Sequence, residues 1–204
     1  MKTLIIIDVQ NDFMPGGSLE VPNGNTIVPV INKVQSYFDL VVATQDWHPK
    51  NHKSFASNHY GKKSFDKMVI NGVLQTLWPD HCIQGSRGAE LHHDIDSNRI
   101  AAIFRKGMDP EVDSYSGFFD NNHHLCTGLA GYLKEKGTSE IYFCGLASDI
   151  CVYYTILDSI QEGFSATLIE DATQPLYVGK FDDIKCEIAK LGVHIVNSNE
   201  FYKK

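Results

Sequence analysis

The sequence predicts an α/β fold of three layers, with helices on both faces of a central, mostly parallel six-stranded sheet. Two observations carry this expectation. Short, continuous apolar runs rich in β-branched residues recur along the chain, and each stops on a polar, charged or glycine residue, as strands buried on both faces do. Between them lie segments whose apolar residues fall at helical spacing, and strands alternating with helices imply parallel βαβ units. A chain of 204 residues suits one well-buried core, so a single domain over residues 1–204 is expected.

The first strand is 3–7, which ends at Asp8. A helix follows over 26–37, where Ile27, Val30, Ile31 and Val34 share a face. The second strand, 40–44, runs into Gln45 and Asp46. Residues 47–98 are the exception, a long stretch of little periodicity. Loops of that length inside a compact domain are uncommon and tend to be functional. The third strand, 100–104, stops at Arg105 and Lys106, and a helix is expected over about 122–136. A fourth strand, 141–144, ends at Gly145 and feeds a helix over 149–162, with Ile150, Tyr153, Tyr154, Leu157 and Ile160 on one face. Strand 166–169, helix 181–191 and a short strand 193–196 complete the set.

Composition narrows the partners. A formal charge of −7 argues against nucleic acid or an anionic membrane, both of which need a basic face, and leaves a small molecule as the expected ligand. No apolar run approaches the ~20 residues that span a bilayer, and the run from Leu4 to Ile7 is too short for a secretory leader. The five cysteines are odd in number and form no C-x-x-C pair, so neither a disulfide framework nor a cysteine-rich zinc module is expected and a reducing cytoplasm fits. A homo-oligomer is left open.

In open α/β sheets, ligands bind beyond the carboxyl ends of the strands. Asp8, Asp46 and Lys106 stand at three such ends and Cys151 lies just past a fourth, in the first turn of the helix that follows Ser148 and Asp149. A helix N-terminus favours a thiolate, and its free N–H groups suit an oxyanion. Asp8 would serve as general base, and Lys106 would lower the thiol pKa. The competing reading of Cys151 is an inert buried thiol, which is how Cys144, inside its strand, is read. Asp46-Trp47-His48 sets an oxygen and a nitrogen donor on one face of an extended segment, His81 after Pro79 is the natural distant ligand, and His52 is a further candidate. Such donors suit one divalent ion, zinc, manganese or iron, and do not by themselves choose among them; zinc is the expectation taken forward. His92, His93, His123 and His124 read as surface residues, and His59 is open. Phe13, Trp78 and Tyr115, aromatic residues in loops, would sandwich a flat ring, unless they serve only local packing.

These segments resemble the nicotinamidases, which also act on pyrazinamide, of the isochorismatase-like cysteine hydrolase superfamily, whose fold is Rossmann-like. The resemblance rests on Asp8-Val9-Gln10-Asn11-Asp12-Phe13, Gly16-Gly17-Ser18-Leu19, Thr44-Gln45-Asp46-Trp47-His48-Pro49 with His52, and Trp78-Pro79-Asp80-His81-Cys82. It continues through Arg105-Lys106-Gly107, Asp113-Ser114-Tyr115-Ser116-Gly117-Phe118 and Gly145-Leu146-Ala147-Ser148-Asp149-Ile150-Cys151-Val152, in the same order from end to end. It implies a triad of Asp8, Lys106 and Cys151, and metal ligands Asp46, His48 and His81, with His52 a ligand in some members only. It also implies a nicotinamide pocket of Phe13, Trp78, Tyr115 and Leu146, and a cis peptide before Ala147 that aims the N–H groups of Ala147 and Cys151 at an oxyanion. Ser148 stands where relatives commonly carry Thr, which keeps the hydroxyl. The implied reaction is hydrolysis of nicotinamide to nicotinate and ammonia through a cysteine thioester, feeding NAD salvage. Metal-activated hydrolysis with Cys151 as bystander, a carbamoyl amide or ureido hydrolase, and a non-catalytic thiol sensor are the competing readings.

Overall fold

The computed structural model describes residues 1–202. Six strands form one sheet in the order β5-β2-β1-β6-β7-β8, where β1 is Lys2–Ile7, β2 Leu40–Asp46, β5 Ile100–Lys106, β6 Glu140–Leu146, β7 Ser165–Gln174 and β8 His194–Val196. Every pair in this sheet is parallel. The alternation of side chains across the pleat explains the unbroken apolar runs. Leu4 and Ile6 point into one core with Ile27, Ile31 and Val34 of the α1 region (α1, Val28–Val34). Ile5 and Ile7 point the other way, towards α2 (Leu129–Glu135), α3 (Cys151–Gln161) and α4 (Phe181–Lys190). Each fully buried Ile or Leu contributes roughly 1.5–3 kcal/mol, so a shift of β1 by one residue, which exchanges its faces, would disrupt both cores.

The chain leaves β1 towards β2 on one side and reaches β6 on the other. The crevice between the ends of β1 and β6 is therefore where the strand order reverses, and the site lies there. Among the described residues, no helix is long and apolar enough to cross a membrane.

Three expectations need correction. The helix at 122–136 begins only at Leu129, because the buried Asp120 carboxylate accepts the N–H groups of Asn122, His124 and Leu125 and holds that segment as a loop. Strand β5 is an edge strand with alternating exposure, and Ile103 is 47% exposed, so it is not buried on both faces. The stretch 47–98 contains an antiparallel hairpin, β3 (Lys67–Ile70) and β4 (Val73–Thr76). Its turn is Asn71-Gly72, both at positive φ (50° and 83°), the pairing that two-residue hairpins favour.

Candidate active site

Asp8 follows β1 at φ 47° and is fully buried. Its Oδ1 accepts the Thr44 hydroxyl proton at 2.7 Å, and its backbone N–H donates to Thr44 Oγ1 at 3.2 Å. Lys106, the last residue of β5, stands in register with Asp46, the last of β2. That register brings its ammonium onto Asp46 and lets the long side chain reach Asp8 Oδ2, 2.9 Å away. The same Nζ donates to the Ser114 carbonyl at 2.9 Å and lies 3.6 Å from Cys151 Sγ. Carboxylate, ammonium and thiol from β1, β5 and α3 thus converge in one contact group.

Burial raises the carboxyl pKa of Asp8, against the pull of Lys106. Asp46 is also desolvated, but Lys106 and His48 hold it well below the usual carboxylate range. Burial disfavours the Lys106 ammonium, yet Asp46 and Asp8 outweigh it and keep the lysine charged. For Cys151 the expectation reverses. Lys106 does pull its thiol pKa down, but burial, aided by the two carboxylates, pushes it well above the ordinary value, so the thiol rests protonated. An attacking sulfur then needs a base, and Asp8 is the carboxylate beside it. Cys144 is the control. It lies within the core against the Ile5 carbonyl, and burial alone raises its pKa.

Asp46 Oδ2 lies 3.4 Å from His48 Nε2 and 3.7 Å from His81 Nε2. Both rings have their tautomer set, because Nδ1 faces a carbonyl that can only accept: Gly107 O for His48 and Pro79 O for His81, each at 2.8 Å. Two Nε2 lone pairs and a carboxylate oxygen therefore converge, which fits a divalent ion. Gly107 is required here, since a Cβ would sit 2.3 Å from the His48 ring. His52 differs. The Ser54 N–H and hydroxyl meet its Nδ1 at 3.1 and 2.7 Å, burial pushes its pKa down to about 4, and its buried Nε2 has no hydrogen-bond partner among the described residues. His52 stands with His48 and Asp113 in a second group of metal-type donors. His59 Nε2 faces the Lys53 carbonyl at 2.7 Å, while His93, His123 and His124 are exposed and His92 is partly so.

A pocket of about 380 Å³ opens over Cys151, with Phe13, Trp78 and Tyr115 among its walls and Asp46 and His81 at its metal-ligand side. The Trp78 and Tyr115 rings meet edge-on at 6.2 Å, joined by a Trp78 Nε1 to Tyr115 Oη hydrogen bond of 3.3 Å. Leu146, expected in the pocket, does not line it. As the last residue of β6 it points into the α1-side core and is fully buried there. The Leu146–Ala147 peptide is cis. No acceptor for the N–H of Ala147 or Cys151 is found among the described residues.

Several site residues escaped sequence reasoning. The Gln10 amide clamps the main chain of Asp46, donating to its carbonyl and accepting its N–H, both at 2.8 Å. Asp12 accepts the Cys82 N–H at 2.7 Å and so fixes the residue after His81. Asp149 accepts the amides of Leu176 and Tyr177, holding Leu176 as a pocket wall. Gln10, Asp12 and Asp149 all lie inside the quoted motifs, so their placement was the available signal.

Comparison with known proteins agrees with this geometry. The isochorismatase domain family model matches residues 2–199. The nicotinamidase of Acinetobacter baylyi is 44% identical over 96% of this chain and 92% of its own length. The solved nicotinamidase pyrazinamidase of Acinetobacter baumanii superposes with a TM-score of 0.94 at 43% identity, covering 98% of this chain and 97% of that one. A pyrazinamidase of Pyrococcus horikoshii, solved in complex with zinc, gives 0.79 at 34% identity over 96% and 98% of the two chains. The chain belongs to the isochorismatase domain family, within its nicotinamidase group.

Proposed function

We propose that this single-domain protein hydrolyses nicotinamide to nicotinate and ammonia, a step of NAD salvage, with Asp8, Lys106 and Cys151 as its catalytic triad. The observation that carries this is the contact of these three groups beneath an aromatic-walled pocket that is also lined by Asp46 and His81, which cluster with His48. In the proposed course, nicotinamide lies between Phe13 and Trp78 with its carboxamide over Cys151. Asp8 takes the thiol proton as Sγ attacks the carbonyl carbon, and the backbone N–H groups of Ala147 and Cys151 hold the oxyanion. Asp8 returns the proton to the departing nitrogen, ammonia leaves, and a nicotinoyl thioester remains. Asp8 then takes a proton from water, whose hydroxide cleaves the thioester to nicotinate and restores the thiol. Lys106 stays charged throughout and offsets the buried carboxylates.

Asp46, His48 and His81 would hold one divalent ion, and we assign zinc, a choice supported by the zinc complex of the Pyrococcus relative. When bound, the ion supplies a Lewis acid for the ring nitrogen. His52 is kept as a candidate further ligand, its buried Nε2 having no hydrogen-bond partner among the described residues. Pyrazinamide, which differs by one further ring nitrogen, is a second substrate in this proposal.

The test is ammonia release from nicotinamide by the intact protein, the protein stripped of metal and the metal-restored protein, alongside Cys151→Ala. Release that depends on Cys151 and recovers with metal is expected. No release under any condition overturns the function, and wild-type turnover by Cys151→Ala overturns the mechanism.

A further inference from the structure

The hairpin β3–β4 stands apart from the six-stranded sheet, and its polarity is inverted. Val69 and Leu74 are 64% and 65% exposed, while the one buried side chain in the two strands is polar, Gln75. Hollows flank it. One of about 310 Å³ lies among Ile70, Val73 and Glu111, and another of about 550 Å³ among Val73, Leu74 and Tyr154. The hairpin is therefore held to the body mainly through hydrogen bonds, and segments with few buried apolar contacts open at low free energy.

Asn71 Nδ2 supplies one of those bonds, to the Glu111 carbonyl at 3.2 Å, and Gln75 supplies the pair that reach Asp113 and Tyr115. Its Nε2 lies 2.7 Å from the Thr76 carbonyl, 3.0 Å from Tyr115 Oη and 3.1 Å from Asp113 Oδ2. The carbonyl and carboxylate only accept, which fixes the amide with its NH₂ group inward. Tyr115 Oη also receives Trp78 Nε1–H, so one hydroxyl ties the hairpin to two walls of the pocket. Trp78 itself is anchored through its N–H to the Ser54 carbonyl at 2.7 Å, three residues beyond Gln75, so the hairpin hangs from that point.

We infer that Gln75 is a positioning residue for the substrate pocket: its amide locks the hairpin against Asp113 and Tyr115 and so holds the Tyr115 and Trp78 walls at their spacing. The inference rests on the proposed function, since the molecule gripped by those walls is taken to be nicotinamide. Gln75→Met keeps the length and removes the donors, whereas Gln75→Glu sets a second carboxylate against Asp113.

The experiment measures KM and kcat for nicotinamide together with hydrogen exchange of the hairpin amides, using α3 as internal reference. For Gln75→Met, KM should rise about fivefold to tenfold with kcat within about twofold, the size of one or two lost buried hydrogen bonds. Hairpin amides should exchange about tenfold faster while those of α3 are unchanged. Gln75→Glu should exceed both effects. In a Tyr115→Phe background, where part of the network is already gone, Gln75→Met should have a smaller effect on KM. An unchanged KM in folded Gln75→Met, or exchange that rises equally in α3, overturns the inference. Should Gln75→Met fail to fold, Tyr115→Phe is read by the same two measurements. If the wild type releases no ammonia, the proposed function fails separately, and the exchange comparison still decides whether Gln75 locks the hairpin.

Discussion

The rim of the sheet and the segment 47–98 build the site in opposite ways. At the rim, Asp8, Lys106 and Cys151 are set by strand ends and a helix start, and their charges are buried among parallel strands whose register leaves little freedom. The segment 47–98 contributes His48, His81 and Trp78 from irregular chain, fixed one by one through carbonyls, a proline turn and main-chain hydrogen bonds. The reacting groups thus rest on the part of the fold that cannot shift without breaking the core, and His48, His81 and Trp78, which would grip metal and substrate together with Asp46, Phe13 and Tyr115, rest on the part that can. Substitutions at the rim should fall on kcat, and those in the segment on binding.

Cys151→Ala should give the largest effect, a loss of at least ~10³-fold in kcat with the melting temperature almost unchanged, checked by ammonia release and thermal unfolding. Retained turnover would break the comparison at once. Lys106→Met should abolish activity and also cost roughly 3–5 kcal/mol of stability, because it leaves Asp8 and Asp46 buried without their cation. Denaturant titration reads that cost, and a change below about 1 kcal/mol would mean that the carboxylates are neutral or hydrated. His81→Ala should weaken metal affinity about 10- to 100-fold while leaving the fold intact, measured by competition with a chelator. Asp8 gives the finest test. Its pKa is raised by burial, so kcat/KM should fall on the acid side at a pH above the ~3.9 of a free aspartate, as the carboxylate that takes the thiol proton becomes protonated. A limb at or below that value would place the base elsewhere.

How much of this was legible in the sequence follows the same division. Apolar runs that halt on Asp8, Asp46 and Lys106 state both the strand and what stands at its end, because the parallel sheet demands unbroken hydrophobicity and the crevice demands function. The order of strands is not written locally, and only the register of Lys106 with Asp46 reveals why a lysine on an edge strand reaches the thiol. The Asn71-Gly72 pair is a hairpin signal that went unread within 47–98, because its flanks carry apolar residues facing solvent, which masks the alternation of a strand. Leu146 was misplaced because the motif in which it lies says nothing about which face of β6 it takes. The thiol of Cys151 was expected to be acidified by Lys106, and burial, aided by Asp8 and Asp46, outweighs that pull, a balance that spacing cannot express.

The central position of β1 has a consequence for the protein's biosynthesis. Lys2 pairs with Glu140 and Ile7 with Gly145, so the first strand made waits for more than two thirds of the chain before its second neighbour exists. Contacts so distant in sequence form slowly, after their loop-closure entropy has been met. Until β6 leaves the ribosome, one edge of the most apolar strand stays open to other chains. A nascent or truncated chain lacking β6 is expected to be inert and prone to aggregate, and the yield of active protein should respond to chaperone supply more than to changes on the surface.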